Sequence, residues 1–173
     1  MELLKELNNH ESFDSAKNVL TSSPYNLKVT ENNEDNTFMI SYNKDSEKTN
    51  DFINECRGII LEKDTNKVVC YTFNRKHNST FLKDELLNNW DACKFYESID
   101  GTQIKLYYYN DKWNVSTTRC IQAKNAYWYS KKSFEELFKE ASFGLDYSKL
   151  NKDYCYSFVL KHKENRIVNR YEY

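Results

Sequence analysis

Residues 96–119, YESIDGTQIKLYYYNDKWNVSTTR, contain the pattern that decides the fold. Two runs rich in aromatic and β-branched residues, 103–109 and 113–119, flank the polar turn NDK. Runs of this kind around a short polar turn are typical of a β-hairpin, because such side chains suit a half-buried pleated surface. The stretch therefore predicts an antiparallel pair of strands.

The same pattern occurs twice more along the chain. Residues 57–62 and 67–73 flank the turn KDTN, and residues 154–160 and 166–171 flank a polar bend. Three hairpins in one chain favour a fold in which antiparallel sheet predominates.

Helical patterns precede and separate these hairpins. Residues 1–23 carry apolar side chains at helical spacing until a Ser-Ser-Pro sequence ends the pattern, and residues 80–90 show a weaker pattern of the same kind. In 133–141, Ser133 and Glu136 have the spacing of a capping box. The prediction is a single α+β domain of antiparallel sheet with flanking helices.

One further strand is predicted before the first hairpin. Phe38, Ile40 and Tyr42 alternate with other residues, as in a half-buried strand. The polar stretches 30–36 and 43–54 on either side of it are predicted to be loops.

The composition excludes several classes of protein. The chain has 173 residues, with 25 basic and 26 acidic side chains and a net charge of -1, so it is not a histone-like polyelectrolyte, although a local basic groove remains possible. The mean hydropathy of -0.88 and the lack of a long apolar run argue against a membrane partner. The charged N-terminal sequence does not match a secretory signal peptide.

The cysteines and histidines are widely and irregularly spaced. The chain has 5 cysteines and no C-x-x-C sequence, and an odd count without a secretion signal favours reduced thiols and a cytoplasmic location. Because the 3 histidines are far apart, no structural zinc site is predicted.

Three segments in a fixed order carry further information. They read ECRGIILEKDTNKVVCYTFNRKHN (55–78), YESIDGTQIKLYYYNDKWNVSTTR (96–119) and YCYSFVLKHKENRIV (154–168). Together they resemble the bacteriophage-type ATP-dependent RNA ligases of the covalent nucleotidyltransferase superfamily. The resemblance implies a nucleotidyltransferase (ATP-grasp-like ligase) core over 55–173, preceded in the same domain by an N-terminal helical segment and first strand over 1–54.

One position of the resemblance bears on catalysis. These ligases attack ATP with a lysine amine in a motif of the form E-K-x-D-G, hold AMP as a phosphoramidate, and then transfer it to an RNA 5′-phosphate. The matching residues here are Glu97, Ser98, Asp100 and Gly101, so a serine occupies the nucleophile position. A serine hydroxyl cannot form the P–N bond, and no base is evident to activate it, so the resemblance implies loss of self-adenylylation.

Other departures from the family pattern concern its later blocks. Val159 replaces an acidic residue, and the chain ends at Tyr173, before counterparts of the E-G-x-V-like and K-x-K strands. The chain is therefore expected to be a degenerate or truncated member that lacks the last strands. Lys94 and Lys105 are the nearest lysines, and neither matches the position of the nucleophile.

Several positions that contact nucleotide in the family are retained. The nucleotide-binding residues that the resemblance implies are Arg57, Lys76, Glu97, Asp100, Gly101 and Arg119. Arginine suits bidentate contact with phosphate, so the cations are expected to converge on one anion. ATP and Mg²⁺ are the implied cofactors, and the metal ligands are unknown. The alternative is that these cations are solvated surface charges.

Three functions remain open from the sequence. The first is an RNA-ligase-like domain that binds a nucleotide or an RNA 5′-phosphate end without being an autonomous ligase. The second is an active ligase, or a fragment of one, that uses another nucleophile or a partner half. The third is a non-enzymatic scaffold for a protein partner. The aromatic residues at 107–109 and 127–129 fit RNA stacking, but large rings are also usual in half-buried strands.

Overall fold

The structure is a computed structural model that describes residues 1–46, 51–75 and 83–168. The α-helices within these ranges are α1 (Glu2–Asn8), α2 (Phe13–Thr21), α3 (Asp51–Glu55), α4 (Lys83–Asn88) and α5 (Phe134–Ala141). The strands are β1 (Lys28–Asn32), β2 (Thr37–Ser41), β3 (Arg57–Glu62), β4 (Val68–Cys70), β5 (Thr102–Tyr109), β6 (Lys112–Thr117) and β7 (Tyr156–Leu160). This is the α+β class with antiparallel sheets that the sequence predicts.

The first sheet has the strand order β1-β2-β3-β4 and is antiparallel throughout. Because side chains alternate along a strand, Phe38 and Ile40 of β2 share one face with Leu61 of β3. This face packs against Leu3 of α1 and Leu20 of α2, and all five side chains are buried. The N-terminal helices therefore cover one side of the first sheet.

The second sheet has the order β6-β5-β7, also antiparallel. Ile104 and Leu106 of β5 face α5 and pack against its Leu137. The alternate residues Lys105 and Tyr107 face the first sheet, where Tyr107 joins a cluster with Met39, Ile60 and Cys70. Burial of both faces of β5 explains why its sequence carries large side chains at every position from 104 to 109.

The capping box predicted at the start of the last helix is confirmed. The Ser133 hydroxyl accepts a hydrogen bond from the Glu136 backbone N–H, and the Glu136 carboxylate accepts one from the Ser133 N–H. The helical pattern over 1–23 corresponds to α1 and α2, with Ser12 capping α2. The weaker pattern at 80–90 corresponds to α4.

The loop predicted at 30–36 is wrong over its first half, because residues 30–32 belong to β1. β1 lies at the edge of its sheet, where only one neighbouring strand pairs with it and polar side chains are common. The loop predicted at 43–54 is likewise wrong at its end, where α3 begins at Asp51.

The third predicted hairpin is also wrong in the residues that the structure describes. β7 forms as expected, but residues 166–168 are not in a strand, and 169–171 lie outside the described ranges. β7 pairs instead with β5, for example Phe158 with Ile104. Alternation in the sequence identifies a strand without identifying its partner, which depends on tertiary packing.

The boundary predicted between residues 54 and 55 stays a prediction. Strands from both sides of it hydrogen-bond within the first sheet, as β2 does with β3. Among the described helices, none combines the length and the apolar character that crossing a membrane requires.

Asp35 joins the tips of two hairpins, one from each sheet. Its Oδ2 accepts a hydrogen bond from Asn32 at 3.0 Å, and its Oδ1 accepts from Asn110 at 3.3 Å and from Lys112 at 2.9 Å. Burial by itself raises the pKa of the Asp35 carboxyl, but these hydrogen bonds outweigh burial and hold the pKa below its usual value. The network therefore requires an ionised carboxylate.

Replacing Asp35 with asparagine is expected to lower the free energy of unfolding by ~1–2 kcal/mol near neutral pH, because a charged acceptor is lost. Since the pKa is lower in the folded state, the stabilisation is complete above the unfolded value of about 3.9 and disappears as the pH falls through the folded value. Denaturant unfolding at about pH 7 and about pH 2.5 measures the difference between wild type and variant at each pH.

The matched control is Asp153→Asn, because Asp153 is exposed and lies outside this network. The control is expected to unfold like the wild type at both pH values. Equal destabilisation by the two substitutions, or a cost of Asp35→Asn that is the same at both pH values, contradicts the prediction.

Candidate functional site

The two sheets meet where β3 begins and β6 has just ended. Gly58 has a φ of 74°, and a Cβ atom at this position would lie 2.7 Å from the carbonyl oxygen of Thr118. The Ser41 hydroxyl, at the end of β2, donates a hydrogen bond of 3.0 Å to the same oxygen. Glycine adopts this backbone conformation and allows this close approach without strain. The contact brings the adjacent residues Arg57 and Arg119 to the same cleft.

The cleft at this meeting point is small, with a volume of about 100 Å³. Its lining consists of Ser41, Tyr42, Cys56, Arg57, Thr118 and Arg119. Pockets that enclose a whole small-molecule ligand usually have roughly 300–1,000 Å³. The cleft therefore suits a group the size of a phosphate better than a complete nucleotide.

Aromatic rings hold three arginines at the cleft. The Cζ atoms of Arg75 and Arg119 lie 4.3 Å and 5.5 Å from the centroid of the Tyr42 ring. The Cζ atom of Arg57 lies 4.4 Å from the centroid of the Phe73 ring. Arg119 Nη1 also donates a hydrogen bond of 2.9 Å to the Tyr42 carbonyl. Stacking of this kind fixes a guanidinium plane and leaves N–H groups at its edge available to an anion.

The positive charges of these arginines are not neutralised by any carboxylate that the structure describes. Among the acidic side chains that the structure describes, none forms an ion pair with Arg57, Arg75 or Arg119. Within residues 1–46, 51–75 and 83–168, Nη1 of Arg57 and Nη1 of Arg75 are buried and have no hydrogen-bond partner. A buried donor without a partner costs about 1–3 kcal/mol, so these guanidinium groups retain hydrogen-bonding capacity that the described residues do not use.

Lys105 lies between the two sheets, beside the cleft and not among its lining residues. Its side chain is 1% exposed, and its Nζ donates a hydrogen bond to the Gly58 carbonyl. Burial lowers the pKa of the Lys105 amine, and the nearby Arg57 charge acts in the same direction. The structure thus contains a desolvated lysine, on the strand that follows the predicted nucleophile position.

Ser98, the predicted nucleophile position, lies on an irregular segment before β5. Ser98 and the neighbouring Glu97 are both exposed to solvent. An exposed hydroxyl keeps its full hydration, so its surroundings do nothing to make it more nucleophilic.

Asp100 and Gly101 are anchored to the end of β7 and to the residues that follow it. Asp100 Oδ2 accepts a hydrogen bond of 2.5 Å from the Val168 backbone N–H. A Cβ atom on Gly101 would lie 2.6 Å from the Leu160 carbonyl oxygen and 2.8 Å from Val159 Cγ1. In the described structure, Gly101 is therefore needed for close packing of the chain against the end of β7.

Strand direction places this segment and Arg119 at the same end of the second sheet. β5 begins next to the end of β7, and β6 ends two residues further along β5, where Thr117 pairs with Ile104. Gln103 Nε2 also lies 3.5 Å from the hydroxyl of Thr72, the residue before the Phe73 ring that stacks on Arg57. The start of β5 is thus close to the arginines.

The predicted site is therefore assembled in part. Arg57 and Arg119 line one cleft, and Lys76 lies outside the described residues. Sequence reasoning missed Arg75 and Tyr42 as site residues. The available signals were that Arg75 directly precedes Lys76 in a retained motif and that Tyr42 ends an alternating strand.

Another cluster has ligand types suited to a metal. Ligand atoms of Glu140, His162 and Glu164 lie within 4.8 Å of one another. Lys132 Nζ lies 2.8 Å from Glu164 and 2.9 Å from Glu140, and these hydrogen bonds raise the pKa of Lys132 to about 12. The ammonium pairs with both carboxylates, so the cluster is explained as an ion-pair network.

Comparison with known proteins finds similar sequences in viruses. The chain is 33% identical over 135 residues to the immediate-early protein ICP-46 homolog of Invertebrate iridescent virus 3, covering 69% of the chain and 30% of that protein. It is 31% identical over 168 residues to a candidate bifunctional polynucleotide kinase/RNA ligase of Autographa californica nuclear polyhedrosis virus, covering 86% of the chain and 24% of that protein.

A phage protein is similar over most of the chain. The chain is 26% identical over 205 aligned positions to an RNA ligase of Rhodothermus phage RM378, covering 98% of the chain and 45% of the ligase. The chain thus spans less than half the length of each of these relatives. No protein-family model matches the sequence. No solved structure matches it either.

Replacing Gly58 with alanine is expected to lower the free energy of unfolding by ~2–4 kcal/mol. The new Cβ would clash with the Thr118 backbone, which cannot move without shifting β6. A residue with a side chain is also strained at this positive φ. Thermal and denaturant unfolding measure the loss.

Gly144→Ala is the matched control, because Gly144 also has a positive φ but open space around the position of a Cβ atom. It is expected to cost only about 1 kcal/mol, from backbone strain alone. Equal losses for the two variants would show that the approach of β3 to β6 is not a constraint.

Proposed function

The chain is related to viral RNA ligases, and from this relationship we propose that it is an RNA-ligase-like nucleotidyltransferase domain that binds phosphate in the arginine cleft. The ligand is a nucleotide or the 5′-phosphate end of an RNA. The domain holds this ligand without forming a covalent adenylate of its own, because Ser98 stands in the nucleophile position.

The observation that carries the proposal is the convergence of three arginines without acidic partners in the described structure. Arg57 and Arg119 line the cleft, and Arg75 stacks on the Tyr42 ring at its wall. A phosphate carries up to two negative charges and several acceptor oxygens, so it supplies both the charge and the acceptors that the arginines lack. An exposed patch of solvated charges would not contain buried guanidinium nitrogens.

Each arginine has a distinct part in the proposed binding. Arg57, the first residue of β3, and Arg119, two residues after the end of β6, donate to phosphate oxygens in the cleft that both line. Arg75 adds charge and keeps the Tyr42 ring in place. With a volume of about 100 Å³, the cleft holds one phosphate while the sugar and base remain outside it.

ATP fits this cleft through its phosphates alone. The lining residues include no carboxylate, so they supply no ligand that a magnesium ion prefers. The proposed role of this chain's own residues is therefore to bind and orient a phosphate by charge and hydrogen bonding.

The missing lysine separates binding from adenylylation in the proposal. Lys105 is desolvated like an activated amine, but its Nζ is hydrogen-bonded to the Gly58 carbonyl and does not line the cleft. Ser98 is exposed and has an unactivated hydroxyl. Neither group is placed to attack a phosphate held by the arginines.

Calorimetric titration tests the binding step. ATP, GTP and a 5′-phosphorylated oligoribonucleotide are expected to bind, whereas the same oligoribonucleotide with a 5′-hydroxyl is expected to bind at least ~10-fold more weakly, since a charge-assisted contact is worth about 1.5–3 kcal/mol. Raising the salt concentration should weaken binding. Folded protein that binds none of these ligands at millimolar concentration would rule out the proposal.

Arg57→Gln is expected to weaken binding of the phosphorylated ligands ~10-fold or more and to leave the fold intact. Lys67→Gln is the matched control, because it removes one positive charge from an exposed turn at the other end of β3. Equal effects of the two variants would mean that binding depends on net charge and not on the cleft.

Incubation with α-labelled ATP and Mg²⁺ tests the proposed loss of adenylylation. The wild-type chain is expected to acquire no acid-labile label, because it has no amine at position 98. Label on wild type would support the alternative of an active ligase with another nucleophile. Gain of label by Ser98→Lys would show that only the amine is missing from the pocket.

A further inference from the structure

Two cysteine thiols, one from each sheet, pack close to Lys105. Cys70 is the last residue of β4 in the first sheet, and Cys155 directly precedes β7 in the second. Both pack in the cluster that includes Tyr107, and the Cys155 Sγ lies 3.5 Å from the carbonyl oxygen of Val69, the residue before Cys70. The two thiols are close enough for each to shift the pKa of the other. Because β7 pairs Tyr156 with Leu106, Cys155 lies at the edge of β5 next to Tyr107.

The surroundings of the two thiols differ. Cys70 is fully buried, and Cys155 is partly exposed to solvent. The Cys155 sulfur receives hydrogen bonds from the Cys70 thiol and the Tyr71 backbone N–H, and the nearby Lys105 amine adds positive charge. These interactions outweigh burial and lower the pKa of Cys155 to about 7, whereas the Cys70 pKa is raised.

We propose that Cys155 is a site of oxidative modification by hydroperoxides and that Cys70 resolves it into a disulfide between the two sheets. The placement of the thiols fits this order of events. Cys155 is the accessible member of the pair, and the buried Cys70 packs beside it in the same cluster between the sheets. The inference does not depend on the proposed phosphate-binding function.

The chemistry balances with hydrogen peroxide as the oxidant. The Cys155 thiolate attacks one peroxide oxygen, the O–O bond breaks, and hydroxide leaves, so that Cys155 becomes a sulfenic acid. Cys70 loses its proton to the departing hydroxide and attacks the sulfenic sulfur, which releases a second hydroxide that takes up the remaining proton in solution. Two thiols and one peroxide thus give one disulfide and two waters.

The other cysteines have no comparable partner in the described structure. The thiols of Cys56, Cys93 and Cys120 each donate a hydrogen bond to a backbone carbonyl close by in sequence. None of them is hydrogen-bonded to a second thiol among the described residues. The Cys155 thiol also donates to a carbonyl, that of Val69 at 3.5 Å, so what distinguishes Cys155 from these three is the neighbouring Cys70 thiol and the Lys105 charge.

Limited hydrogen peroxide treatment of the reduced chain, followed by peptide mass spectrometry, tests the proposal. A disulfide-linked peptide pair containing Cys70 and Cys155 is expected first, and dithiothreitol should remove it. The initial rate should rise with pH through about 7, as the Cys155 thiolate forms. The oxidised protein is expected to have a higher Tm than the reduced protein, because the bond constrains the unfolded chain.

Variants identify the role of each thiol. Cys70→Ser is expected to leave a sulfenic acid on Cys155 that dimedone traps, and Cys155→Ser should abolish the fast phase of oxidation. Cys120→Ser, the matched control, should retain the linked pair. A different first pair, equal oxidation of all cysteines, or fast oxidation in Cys155→Ser would overturn the proposal.

Discussion

The contact of Gly58 with Thr118 is the constraint on which both the sheet arrangement and the cleft depend. It places the start of β3 against the residue after β6, although the two strands belong to different sheets. A side chain at position 58 would push these backbones apart, and Arg57 and Arg119 would then no longer share a cleft. One backbone approach therefore determines the spacing of two of the charges in the candidate site.

The layer between the sheets is partly polar, which sets it apart from an ordinary hydrophobic core. Lys105 is buried there, and burial disfavours the charged form of its amine. The amine still has a hydrogen-bond partner, because it donates to the Gly58 carbonyl. The thiols of Cys70 and Cys155 lie beside this amine. Polar groups of this kind are costly unless they are satisfied, and each of these three has a partner.

The sequence predicts the strands better than their partners. Alternation and turn chemistry identify the β5–β6 hairpin, where Asn110 and Asp111 both adopt positive φ in a two-residue turn. The pairing of β7 with β5 and the edge strand β1 required tertiary information, because a polar edge strand has little pattern of its own. In the candidate site, motif residues identified Arg57 and Arg119, whereas Arg75 enters through its contact with the Tyr42 ring.

Binding and covalent chemistry have separate structural origins in this chain. The arginine cleft is built where β2 ends, where β3 begins and just after β6, whereas the predicted nucleophile position lies on an irregular segment ahead of β5. A serine in place of the family's lysine at position 98 therefore leaves the chain without the nucleophilic amine, and it changes no residue that lines the cleft. Because the phosphate contacts are electrostatic and the adenylate would require an amine, the proposed function retains binding after losing the covalent step.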